Sequence, residues 1–402
     1  MPLSPLELEL VQIIRQEAPS YVENLRRLVE ISSFTDDAAG VDRMAQTCLQ
    51  QLSEAGFDLR LKHISPAGPH LIATRGKGEP RLLLLGHTDT VYPKEHALSG
   101  FWRDSFDPGQ LRGPGVTDMK GGLVVMMAAA RILVERDLLG QGGLSILLCA
   151  DEETGAPTGR SLLLDEARRH DLCLVFETGS RLGPHQTTFV TERKGSARFS
   201  IEIAGVEAHA GAKKEMGLSA AEEAAHKIIA LEALNDFERG TTVNVGLVQA
   251  GSAANTVPGS AELQVDCRFK SAEAGREVES LIREIATRTH IENRLESTRP
   301  VCSVRSLFEP HLPLLATKES RRAAAQLVQC SADLGVELTE EYRGGASDGN
   351  TTSEAGCPTV DGLGTVGGKI HSEGEWVEAE SLADRTALLA VFAKRFFEGA
   401  KS

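Results

Sequence analysis

Leu144-Ser145-Ile146-Leu147-Leu148-Cys149-Ala150 carries no charge and runs straight into Asp151-Glu152-Glu153-Thr154-Gly155. A short, continuously apolar run bounded by polar residues suits a strand buried on both faces, as in a parallel sheet covered by helices. Arg81-Leu82-Leu83-Leu84-Leu85 and Leu172-Cys173-Leu174-Val175-Phe176 read the same way. The helical pattern from Gly121 to Glu135 lies between two of these runs, where a crossover belongs. Upstream, Leu6 to Ile31 has apolar residues at helical spacing, with Pro19 expected to break it into two helices. Met44 to Gly56 reads as a further helix closed by its glycine.

From about Lys194 the texture changes to alternating strands. Ala197 to Ile203, a helix from Ser219 to Leu234, strands at Thr242 to Val248 and Ala261 to Phe269, a helix from Ala272 to Arg288, and a last strand near Asn293 to Val304 follow in order. That βαββαβ order is ferredoxin-like. After about Phe308 the helix/strand alternation resumes. The expected organisation is an α/β catalytic domain with a mostly parallel sheet between helices, made of residues 1–193 and 309–402. Residues 194–308 form a smaller domain inserted in it.

Composition narrows the function. The chain of 402 residues has a formal charge of −14, which disfavours nucleic acid and anionic membranes as partners, since either needs clustered Lys and Arg. The seven cysteines are scattered, with no Cys-x-x-Cys pair, and read as reduced thiols. Met1-Pro2-Leu3-Ser4 lacks the basic-then-apolar layout of a secretory signal, and no apolar run approaches membrane-spanning length. A cytoplasmic protein is expected.

The chemistry lies at the strand ends, where open α/β sheets place their sites. His87 and Asp89 follow the first run and, two residues apart, project to one face of an extended segment. A carboxylate there would set the tautomer and angle of a ligating imidazole. Asp118 sits among glycines in Gly113-Pro114-Gly115-Val116-Thr117-Asp118-Met119-Lys120-Gly121-Gly122, a density that points to unusual backbone geometry rather than a plain helix cap. Glu152 and Glu153 follow the second run, Glu177 follows the third, and His371 comes late in the chain. Two imidazoles and three carboxylates suit a pair of divalent ions, zinc by preference, with Co2+ or Mn2+ also tolerated by an N/O donor set. A carboxylate left over beside them is the natural general base.

The strings GHTDTV, GPGVTDMKGG, DEETG, FETG and GGKIHSEGEWV resemble, in order and spacing, the motifs of the co-catalytic zinc metallopeptidases. These are typified by glutamate carboxypeptidase (carboxypeptidase G), aminoacylase-1, acetylornithine deacetylase and succinyl-diaminopimelate desuccinylase. The resemblance spans nearly the whole chain and makes the inserted domain a lid or dimerisation domain. It implies two Zn2+ per chain: His87, Asp118 and Glu177 on one, and Asp118, Glu153 and His371 on the other, with Asp118 bridging. It implies that Asp89 orients His87, that Glu152 is the general base on a water between the ions, and that the Asp118–Met119 peptide is cis. Glu at position 177 resembles the carboxypeptidase and aminoacylase branch, whereas aminopeptidase members usually carry Asp. In the lid, His209 resembles a histidine that stabilises the oxyanion in a partner subunit's site, which implies a homodimer. Asn255 and Arg268 resemble residues that hold the substrate's free carboxylate, a role that suits the arginine fork.

The activity so implied is hydrolysis of an amide bond to release a C-terminal or N-acylated amino acid from a small peptide or N-acyl amino acid. The alternatives are an N-acyl-amino-acid deacylase of the same family and a non-catalytic, metal-binding dimeric homologue. Gly345-Ala346-Ser347-Asp348-Gly349 fits a serine-hydrolase elbow, and Gly362-Leu363-Gly364-Thr365-Val366-Gly367 fits a dinucleotide fingerprint. Neither has the sequence context that its chemistry needs.

Overall fold

The computed structural model describes residues 2–96, 100–293 and 295–399. Met1, Arg294 and residues 97–99 and 400–402, which fall within the expected domains and in part within the expected strand near Asn293 to Val304, lie outside the described residues. The chain divides into two compact units. One comprises Met1–Glu192, Leu314–Arg343 and Ser347–Ser402, and the other Arg193–Pro313 with Gly344–Ala346.

The larger unit is built on a six-stranded sheet in the order Asp58–His63, Pro69–Arg75, Gly143–Cys149, Arg81–His87, Leu172–Val175, Thr359–Val360. The last four strands run parallel and the first two are antiparallel additions at one edge. The uncharged runs form the central strands because they are covered on both faces. Leu82 and Leu84 join one apolar cluster with Leu144, Ile146, Leu172 and Leu174. Leu83 and Leu85 point the other way, into a second cluster with Leu147, Cys149, Cys173 and Val175. This strict alternation along each strand fixes which residues emerge at the strand ends. The helix Gly121–Glu135 is buried on nearly all sides, packed against the helices Pro5–Val29 and Ala379–Gly399.

Pro19 does not break the first helix, which is continuous from Pro5 to Val29. The proline lies on the exposed side, so the carbonyl it leaves without an N–H partner faces water. Burial of Leu10, Ile14, Tyr21, Leu25 and Leu28 outweighs the roughly 3 kcal/mol an interior proline costs.

The smaller unit is a four-stranded antiparallel sheet in the order Thr242–Ala250, Ser260–Phe269, Gly195–Ala204, Val301–Ser306. The helices Ala220–Glu232 and Ala272–Thr287 complete the βαββαβ arrangement. Phe199, Ile201, Leu263, Val265, Val278 and Ile282 form its core. The chain stays in this unit past Phe308 because Ser196 and His311 exchange both backbone hydrogen bonds, at 3.0 and 2.9 Å.

Candidate active site

Three strand ends and two loops of the larger unit converge. His87 ends the strand Arg81–His87, Glu152 and Glu153 lie in the short turn after Gly143–Cys149, and Glu177 lies just past Leu172–Val175. Asp118 comes from the glycine-rich loop, where the Asp118–Met119 peptide is cis and Gly115 has φ +68°. A side chain would be strained at Gly115. His371, with φ +58°, turns at the tip of a hairpin between Gly367–Gly368 and Trp376–Glu378.

Asp118 is the centre of this group. Its Oδ1 lies 3.4 Å from His87 Nε2 and its Oδ2 lies 3.2 Å from His371 Nε2. Glu177 stands 3.6 Å from the same His87 nitrogen, and Glu153 stands 3.1 Å from the same His371 nitrogen. Donor atoms of His87, Asp118 and Glu153 lie within 4.8 Å of one another, as do those of His87, Glu152 and Glu177. His87 Nε2, Asp118 Oδ1 and Glu153 Oε1 are buried and have no hydrogen-bond partner among the described residues. Buried polar atoms are normally satisfied, and an N/O set converging on a common centre is what a divalent ion requires. The residues fit a pair of such ions sharing Asp118.

The charges agree. Burial works against the His87 imidazolium, yet the carboxylates of Asp118 and Asp89 outweigh it and raise the pKa. Asp118 and Glu153 push His371 up to about 10. Burial likewise opposes ionisation of Asp118, but His371 and His87 hold its carboxyl below the usual carboxylate range. Glu152 is pushed up by burial, reinforced by Glu177, Asp348 and Glu153 against the opposing pull of His87. Glu153 is raised as well, by burial and by Asp118 against the pull of His371, so the acids of this one site are displaced in both directions, as is common where functional groups cluster.

Asp89 differs in detail from the expectation. His87 Nδ1 is 3.0 Å from the main-chain oxygen of Asp89 and 3.4 Å from its carboxylate. The carboxylate accepts instead from the backbone N–H groups of Glu152 (3.2 Å) and Glu153 (3.1 Å) and from the Thr35 hydroxyl (2.8 Å). It therefore also fixes the turn that carries both acids. Three further groups were not anticipated. Glu375 is fully buried and accepts N–H bonds from the Asp118 loop. Tyr92 Oη donates to Ser372 O at 3.1 Å. Asp348 is buried, and burial pushes it up to about 7. Glu375 was within reach of sequence reasoning, as an acid four residues beyond His371 in the same motif.

The three lid residues lie in the smaller unit. His209, exposed, sits in a two-residue strand paired with Thr256–Val257. Ala210 N–H donates to Asn255 O at 2.9 Å, which brings His209 and Asn255 side by side. Arg268 holds Asp266 through two bonds of 2.8 and 2.9 Å.

Both competing motifs have structural duties. Ser347 caps the helix Asp348–Glu354 and its hydroxyl donates to Asp361 at 2.6 Å. Gly364 donates to Glu177 O at 2.9 Å, and a Cβ there would come within 2.1 Å of Phe176 O. That glycine seats the Glu177 backbone and has no nucleotide role to explain.

A family model described as "Peptidase dimerisation domain" matches residues 191–294. Carboxypeptidase G2 of Pseudomonas sp. (strain RS-16) is 28% identical over 390 residues, covering 95% of this chain and 90% of its own. The succinyl-diaminopimelate desuccinylase of Marinobacter nauticus is 29% identical over 383 residues, covering 90% and 94%. The chain is a metal-dependent hydrolase related to the M20 metallopeptidases. The Bacillus subtilis YXEP protein, a dinuclear metal-binding peptidase of the M20 family, has the same fold as this hydrolase. The two superpose with a TM-score of 0.67 at 17% identity, over 96% of this chain and 99% of that one. Among the described residues of the hydrolase, no helix is long and apolar enough to cross a membrane.

Proposed function

We propose that this hydrolase uses two zinc ions to cleave an amide bond, releasing an amino acid with a free α-carboxylate from a small peptide, as a glutamate carboxypeptidase does. The observation that carries this reading is the pair of imidazoles on opposite oxygens of Asp118. His87 and Glu177 would hold one ion with Asp118, and Glu153 and His371 the other. Bound divalent ions polarise the scissile carbonyl and lower the pKa of the attacking water.

The chain's own groups do the rest. Glu152 takes the proton of the attacking water and returns it to the leaving amine. Its burial among acids, which raises its proton affinity, supports that role. Asp89 holds Glu152 by its backbone and keeps the His87 ring in place. Arg268 and Asn255 are assigned to the substrate's free carboxylate, for which Arg268 would exchange its present Asp266 partner. His209 is assigned to the oxyanion in a second copy's site. Supporting that copy, the strand Thr242–Ala250 is an edge strand with Leu247 and Val248 57% and 50% exposed, a surface that invites pairing.

The second reading, an N-acyl-amino-acid deacylase, is favoured by the similarity to the desuccinylase. A panel of dipeptides with C-terminal Glu or Asp and of N-acetyl and N-succinyl amino acids, assayed after chelation and after zinc reloading, tests both. Zinc-dependent release of the C-terminal amino acid from the dipeptides supports the first, preference for the acyl amino acids supports the second, and no turnover by a two-zinc preparation contradicts both.

A further inference from the structure

Glu375 has no exposed surface, and its carboxylate faces the Tyr92 hydroxyl and three backbone N–H groups. Oε2 accepts from Gly115 N–H at 3.1 Å, and Oε1 accepts from Thr117 N–H at 2.9 Å and Asp118 N–H at 3.0 Å. These amides need such a partner. The segment Val116–Lys120 is one wide helical turn in which Asp118 and Met119 leave helical dihedrals, and the first N–H groups of any turn have no acceptor within it. Losing either oxygen would leave at least one of these buried N–H groups without its acceptor.

The residue is equally fixed from its own side. It directly precedes the strand Trp376–Glu378, which pairs in register with Gln110–Arg112. Arg112 Nη1 donates to Gly374 O at 2.8 Å, and Tyr92 Oη donates to Ser372 O. The hairpin that carries His371 and the loop that carries Asp118 are therefore joined through one carboxylate.

We propose that Glu375 is a positioning residue that locks the Asp118 loop to the His371 hairpin, so that the two oxygens of Asp118 keep their spacing to His87 and His371. It touches neither substrate nor ion. Its effect on metal affinity rests on Asp118 and His371 being ligands, as proposed above; its effect on the loop does not.

The test uses the full chain as wild type, E375Q and E375A. Amide hydrogen exchange at Gly115, Thr117 and Asp118 is measured on metal-free protein, and zinc affinity by competition with a chromophoric chelator. In E375Q one oxygen remains for three donors and the amide nitrogen opposes the rest, so exchange at the loop is expected to accelerate at least about 10-fold. Zinc affinity should fall about 10- to 100-fold, the usual effect of losing a partner that orients a ligand. E375A should be worse in both respects, and E375Q remains informative if E375A does not fold. Unchanged exchange in folded E375Q overturns the lock, and faster exchange with undiminished zinc affinity overturns the claim that the lock positions Asp118 for metal. If wild type itself binds no zinc, the ligand reading fails, while exchange at the loop still decides whether Glu375 holds it.

Discussion

Replacing Asp89 by Asn changes one oxygen for one NH2 and leaves shape almost untouched, yet the structure assigns it a definite cost. The carboxylate accepts from Glu152 N–H, Glu153 N–H and the Thr35 hydroxyl, and the residue is 1% exposed. If the amide keeps its oxygen toward Glu152, its nitrogen meets Thr35, which can rotate to accept, and Glu153 N–H, which cannot. If it flips, Glu152 N–H is the orphan. One buried N–H left unsatisfied costs about 1–3 kcal/mol, and the bonds that survive lose their charge assistance at about 1 kcal/mol each. Relief of repulsion from the neighbouring acids offsets part of this, so D89N should be about 2–4 kcal/mol less stable in urea unfolding of metal-free protein. Glu152 is then held less firmly, and a displacement of about 1 Å at a catalytic group is worth about 100-fold in rate. The expected kinetic signature is a kcat lowered about 100-fold with KM little changed. A D89N protein within about 0.5 kcal/mol of wild type and within threefold in kcat would refute the role given to Asp89.

The smaller unit carries a pH-linked device of its own. Glu223 and Lys227, both fully buried, are 3.1 Å apart, and Glu223 also accepts from the backbone of His290 and Ile291. Burial opposes its ionisation, but these bonds and those from His290 and Lys227 side chains bring its pKa down to about 2. The folded value lies below the unfolded value of about 4.3, so the stabilisation is complete above the unfolded pKa and is lost as pH falls towards the folded one. E223Q should flatten the fall in Tm between about pH 4 and pH 2 and, by leaving Lys227 buried without its charge partner, cost about 3–5 kcal/mol at pH 7; an unchanged acid limb would contradict this. L247D on the exposed edge strand should yield monomers in sedimentation and lower kcat by removing His209 of the partner copy, whereas a dimeric, fully active L247D would argue against that surface.

Much of this architecture can be read from residue order. Runs such as Leu82–Leu85 and Leu144–Ala150 lack charge because both faces are covered, and that constraint is local enough to show in sequence. His87, Glu152, Glu153 and Glu177, at or just past the ends of such runs, stand out for the complementary reason that a buried strand end has little other use for them. Pro19 misled because a proline on an exposed helix face loses its bond to a carbonyl that water can serve, and tertiary burial decides the outcome. The carboxylate partners of Asp89 are illegible for a different reason. Two of the three are backbone N–H groups more than sixty residues away, which any sequence supplies, and the third is one threonine hydroxyl with no motif around it. Glu375 is intermediate: its proximity to His371 is visible, but its contacts are with a loop some 260 residues earlier.

The division of labour between Glu152 and its neighbours is the heart of the account, and a single variant isolates it. Zinc content of purified E152A, measured alongside its rate on the best substrate of the panel, should show two ions per chain with kcat reduced at least about 100- to 10,000-fold. A two-zinc E152A that hydrolyses the substrate at close to the wild-type rate would contradict it.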